Sequence, residues 1–93
     1  MLEDLTLPAD VSRVRETPEF SAESVPPGLL RAHRIAAGVW GRLRVIEGSV
    51  VFVAEDGPES RRLTAPASQV IEPELPHHIE PSADARFVVE FYR

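Results

Sequence analysis

The sequence has no cysteine and no lysine, and only one tryptophan, one tyrosine and one methionine among its 93 residues. Without cysteine there is no disulfide framework, no thiolate zinc site and no iron–sulfur cluster. A cysteine nucleophile is excluded as well. Without lysine, all positive charge rests on ten arginines, set against fifteen acidic residues for a net charge of −5. Such a chain repels a phosphate backbone, which argues against nucleic acid as a partner. No apolar run approaches the roughly 20 residues of a membrane helix. Glu3 and Asp4 stand where a secretory signal needs positive charge. The expectation is a cytoplasmic protein with no membrane partner. The glycines fit neither a Walker nor a dinucleotide-binding spacing, and no serine lies in a glycine-flanked elbow.

Proline is plentiful, at nine residues. Each costs a helix interior about 3 kcal/mol, so long helices are not expected. The apolar runs read as short strands. Val39–Ile46 alternates, with Val39, Leu43 and Val45 on one face and Arg42 and Arg44 on the other. Ser49–Ala54 is a β-branched run suited to burial on both faces. Glu47-Gly48 between them reads as a hairpin link, and Asp56-Gly57-Pro58 as a second turn. Leu29–Ile35, Arg61–Thr64, Gln69–Glu72 and Ala85–Tyr92 supply further strands. Residues 1–27 form a leader with an edge strand around Val11–Arg15, and residues 28–93 the core of one small domain. Many short strands between turns predict an all-β sandwich or barrel.

The three histidines carry the chemistry. His33 falls in an expected strand; His77 and His78 follow Pro76 and open another. Strand side chains alternate, so at most one of His77 and His78 shares an interior with His33. Two imidazoles and a carboxylate make a site with open positions that suits iron(II), zinc or manganese. Glu90, set among Phe87, Val88, Val89, Phe91 and Tyr92, is the carboxylate candidate. A charge there must be paired or bound to a metal. Two readings stand: metal ligation, or an ion pair with an arginine such as Arg42 or Arg31. Arg61-Arg62 reads as a solvated pair.

The order of these features is recognisable. Val25-Pro26-Pro27-Gly28-Leu29-Leu30-Arg31-Ala32-His33 leads into Gly38-Val39-Trp40-Gly41-Arg42-Leu43, then Val45-Ile46-Glu47-Gly48. Ile71-Glu72-Pro73-Glu74-Leu75-Pro76-His77-His78-Ile79 and Phe87-Val88-Val89-Glu90-Phe91-Tyr92 follow. Together they resemble a family of small bacterial cupin-type proteins labelled tellurite-resistance-related, or tellurite-resistance-protein-B-like. The resemblance runs over nearly the whole chain, and its combined motifs are more specific than any one alone. It implies a double-stranded β-helix, the cupin or jelly-roll barrel, with an extended N-terminal leader. His33 matches the first cupin metal histidine, His77 that of the second motif, and Glu90 the acidic position of the last strand. His78 is then an outward neighbour. The chain departs from the general cupin pattern: Ile35 stands where a second histidine is usual, and the usual glutamate is missing near Trp40-Gly41-Arg42.

The resulting expectation is a divalent metal (zinc, iron(II) or manganese) held by His33, His77 and Glu90. Arg42, Trp40 and His78 are the ligand-binding candidates, with Arg42 placed to read a carboxylate or oxyanion. The alternative is a metal-free module that binds a small molecule or oxyanion without turnover. A third reading has the protein work as a homodimer paired through an edge strand.

Overall fold

A single glycine turns the chain from one layer to the other. The computed structural model describes residues 1–31 and 33–93. In it, strands β3 (Trp40–Glu47) and β4 (Ser49–Ala54) are separated by Gly48 alone, in the left-handed region at φ 67°. A Cβ at this position would lie 2.7 Å from Asp84 Oδ1 and 2.9 Å from Ser82 Oγ, so a side chain is excluded sterically as well as conformationally. The expected hairpin does not form here, because β3 and β4 belong to different sheets. A two-residue primed turn would fold the strands onto each other; a one-residue link makes a corner.

The remaining strands are β1 (Arg13–Glu16), β2 (Phe20–Ser21), β5 (Ser60–Thr64), β6 (Ser68–Ile71), β7 (His77–Pro81) and β8 (Arg86–Tyr92). They pair antiparallel in two sheets. One runs β1-β8-β3-β6 with β2 also on β8, and the other β5-β4-β7. The expected all-β class holds. Among the described residues the helices are two 3-10 turns, Leu2–Asp4 and Pro27–Leu30, and neither is long and apolar enough to cross a membrane. Strand pairing does not run continuously from one sheet to the other, so the layers face each other as an open sandwich.

The core lies between the sheets. Val50, Phe52, Leu63 and Phe87 are completely buried. Burial on β4 alternates: Val50, Phe52 and Ala54 point inward, while Val51 and Val53 stay half-buried. The two-faced burial expected of this run is not seen, because an antiparallel sheet here leaves one side to solvent.

Two further expectations change. The Leu29–Ile35 strand is replaced by the 3-10 turn Pro27–Leu30, closed by Leu29 N–H donating to Pro26 O at 3.0 Å. Consecutive prolines fix φ and remove ladder donors, which favours the turn over a strand. Only His33 pairs, in an isolated bridge with His77, and Ala32 lies outside the described residues. Arg61 is not a solvated arginine. Its Nη1 donates to Ser68 O and to Oε1 of the buried Gln69, both at 3.0 Å. Gln69 in turn donates to Leu2 O, so the chain's first turn is tied to β5 and β6.

A candidate ligand pocket between the sheets

β6 and β7 are joined by a proline-flanked turn in which Glu74 takes φ 62° and donates its N–H to Ile35 O at 2.8 Å. This pins the turn to the segment carrying His33. The two histidine backbones then exchange hydrogen bonds, His33 N–H to His77 O at 2.7 Å and His77 N–H to His33 O at 2.9 Å. The imidazoles meet edge to face with centroids 5.3 Å apart, and the His77 ring stacks on Phe52 at 5.1 Å. Burial lowers the pKa of both rings, so both are neutral near pH 7.

Their tautomers follow from their partners. A carbonyl only accepts, so His77 Nδ1, 2.9 Å from Leu75 O, carries the proton and leaves the lone pair on Nε2. His33 Nδ1 is buried with no partner. An orphaned acceptor is tolerated better than an orphaned N–H, which puts the His33 proton on Nε2. The pair therefore offers one donor and one acceptor.

Both rings line a pocket of about 260 Å³ between the sheets. Its other walls are chiefly apolar, among them Leu29, Ile35, Leu43, Ile79 and Phe91. Gly41 makes room for one of these walls: a Cβ there would come within 2.5 Å of Ile35 Cδ1. Among the described residues Arg15 is the only charged one on the wall, and its guanidinium carbon sits 4.8 Å from the centre of the Phe91 ring.

The other expected site residues lie elsewhere. In β8, Phe87, Val89 and Phe91 face the second sheet, and Glu90 faces outward. It pairs in register with Arg42, as Val89 does with Leu43. Although only 2% exposed, the Glu90 carboxylate is well partnered. It accepts from Arg42 Nε and Tyr92 Oη, both at 2.8 Å, and has Arg13 and Arg44 each 3.4 Å away. Burial would raise its pKa, but the Tyr92 and Arg42 hydrogen bonds outweigh this and hold it below the usual carboxylate range. Burial and the hydrogen bond to Glu90 raise the Tyr92 phenol.

Of the two readings of Glu90, the geometry takes the ion pair. Arg42 is committed to that pair and does not reach the pocket. Trp40, half-buried, stands opposite Tyr92 on the same outer face. His78 points away from its neighbour, between Glu55 at 2.7 Å and Glu80 at 2.8 Å. Hydrogen bonding to Glu80 raises its pKa, more than burial lowers it.

His33, His77 and Glu90 thus do not form one donor set. Among the described residues, no three metal-binding side chains converge. Two imidazoles fall one short of the three protein ligands usual for a catalytic zinc. Arg15 was missed from the sequence. Arg13 and Arg15 share a face in a regular strand, but a bulge between them puts Arg13 opposite Tyr92 and Arg15 opposite Phe91.

Comparison with known proteins agrees with the fold. A protein of known structure from E. coli strain K12 is 26% identical, with a TM-score of 0.86, and 96% of each chain is covered. TehB from Haemophilus influenzae is 25% identical with a TM-score of 0.79 over 90% of this chain. Only 32% of that TehB chain is covered, so this chain spans about a third of its length. No curated protein sequence matches. The TehB-like domain model matches residues 15–89, from the pocket arginine to the strand behind it. This chain therefore belongs to the TehB-like domain family, in keeping with the tellurite-resistance-related resemblance of its motifs.

Proposed function

We propose that this domain is a cupin-type binding module that takes a small organic molecule between its sheets. The observation that carries the reading is the apolar pocket of about 260 Å³ whose wall holds two neutral imidazoles. Ligand sites of this kind combine apolar walls with a few converging polar groups. The volume exceeds the ~150 Å³ of a cavity that accepts benzene. The cupin reading is supported by the sheet crossings, since the chain changes layer from β3 to β4, from β5 to β6, from β6 to β7 and from β7 to β8, with β4 and β5 paired in one sheet.

The test is a methyl NMR titration with octan-1-ol, a neutral apolar probe. Saturable shifts at Ile35, Leu43 and Ile79, abolished in Leu29→Trp, support the reading. No saturable shift in the folded wild-type protein overturns it.

A divalent metal shared by His33 and His77 is a second reading, favoured by the closeness of two neutral rings. It predicts bound zinc, iron(II) or manganese after supplementation, and a melting temperature that chelator lowers. Full metal occupancy in both His33→Ala and His77→Ala would exclude it.

A further inference from the structure

Beside the apolar pocket lies a second, more open cleft of about 320 Å³. The two share Arg15, His33, Ile35 and Phe91. The cleft adds Arg34 and Arg93, so among the described residues three arginines line it and no aspartate or glutamate does. In a chain of net charge −5 this is a local inversion of sign.

These arginines also differ from the others on the same sheet. Arg13, Arg42, Arg44 and Arg86 each have a glutamate within 4.0 Å. Among the described residues, none of Arg15, Arg34 and Arg93 has a carboxylate partner at that distance. Arg15 stands where pocket and cleft meet, stacked on Phe91. His33, with its proton on Nε2, borders both spaces.

We infer that pocket and cleft are one composite site for a small amphipathic carboxylate. The apolar body enters the pocket, and the carboxylate is held by Arg15 with Arg34 beside it. The inference rests on the pocket reading above and deepens it, because it names the ligand class. The apolar walls supply burial without polarity, and the free guanidiniums supply charge-assisted donors with no competing acid. A bare inorganic oxyanion would use the arginines but gain nothing from the apolar walls.

The test compares octanoate with octan-1-ol, two probes of equal chain length, by calorimetry on the full chain. Wild type should bind octanoate about tenfold more tightly, the worth of one partly solvated charge-assisted contact. Arg15→Gln and Arg34→Gln together should bring the two probes to equal affinity, by weakening octanoate about tenfold more than octan-1-ol. Added salt should erode only the octanoate preference. Equal affinity of both probes in wild type overturns the carboxylate assignment but leaves the apolar pocket standing. Failure of both probes to bind overturns the pocket reading itself, and the carboxylate assignment with it. A preference that survives the double variant places the anion elsewhere and also overturns the assignment.

Discussion

The two faces of the sheet β1-β8-β3-β6 handle charge in opposite ways, and β8 shows both within six residues. Its inner side chains, Phe87, Val89 and Phe91, meet the second sheet and the pocket. Its outer side chain Glu90 is equally hidden, yet it is covered by arginines and a tyrosine and not by hydrocarbon. On the outer face every arginine near Glu90 is answered by a carboxylate. On the inner side Arg15 is unanswered and the imidazoles are neutral. An ion network whose charges answer one another has no unmatched charge to offer, so that face reads as structural. A pocket with a guanidinium that meets no carboxylate, a His77 ring bonded at one nitrogen and a His33 ring whose buried Nδ1 has no partner retains capacity to bind.

Truncation should separate the faces by size. Phe87→Ala empties a completely buried ring site packed at 5.9 Å against Phe20. A loss of about 3–5 kcal/mol is expected. At about 4–8 °C per kcal/mol for a domain this small, the chain should be largely unfolded at 37 °C. Glu90→Ala should cost about 2 kcal/mol, less than the ~3–5 kcal/mol of a fully buried pair, because its arginines remain partly in water. Urea melts of both variants check the order. If Glu90→Ala proves the costlier, the outer network anchors the fold and the comparison is inverted.

Acid sharpens the same contrast. The Glu90 pKa is lowered by folding, so its stabilisation is complete above the unfolded carboxylate value of about 4.3 and is lost as pH falls through the folded value. Glu90→Gln should flatten that part of the stability profile below about pH 4.5. On the inner side, His33 and His77 are also lowered, by burial above all. Their neutral forms support the fold fully above about pH 6.5, and that support fades as pH falls towards their folded values. His77→Gln should therefore reduce the slope of stability just below about pH 6.5 and leave the Glu90 window intact. Melting temperatures read every half pH unit would show a single shared transition if the faces were coupled.

How much of this was legible in the sequence depends on the kind of residue. The alternation in Val39–Ile46 and Ala85–Tyr92 placed Leu43 and Val45, and Phe87, Val89 and Phe91, on common faces, as found, because a half-buried strand writes its burial with period two. The same rule put His77 and His78 on opposite faces. It also separated Arg42 from Leu43 and Glu90 from Val89 without showing that Glu90 faces outward, because register between strands distant in sequence is not written in either one. The ion-pair reading of Glu90 could therefore be named but not chosen. The corner at Gly48 looked like a hairpin because one positive-φ glycine serves both. Arg15 was hidden most completely: its inward aim comes from a bulge, an irregularity with no signature in Arg13-Val14-Arg15.

The smallest expected effect concerns His78, next in sequence to His77 and opposite to it in every respect. It lies outside, between Glu55 and Glu80, and its pKa is raised where that of His77 is lowered. A raised histidine stabilises the fold fully below about pH 6.5 and loses that contribution as pH rises through its folded value. It therefore partly offsets the acid loss caused by the buried pair. His78→Ala should cost about 0.5 kcal/mol at pH 5.5, in the range of a solvated ion pair, and close to nothing at pH 8.5. In this variant the curve should be lowered by a constant amount below about pH 6.5 and lose part of its fall with rising pH above that value, whereas in His77→Gln the decline below about pH 6.5 should become shallower. Slope changes in separate pH windows, above about pH 6.5 for His78 and below it for His77, would tie the pH response to the face each ring occupies. Equal changes would mean that the two rings share one electrostatic environment, and the separation of the faces would fail where the two histidines meet.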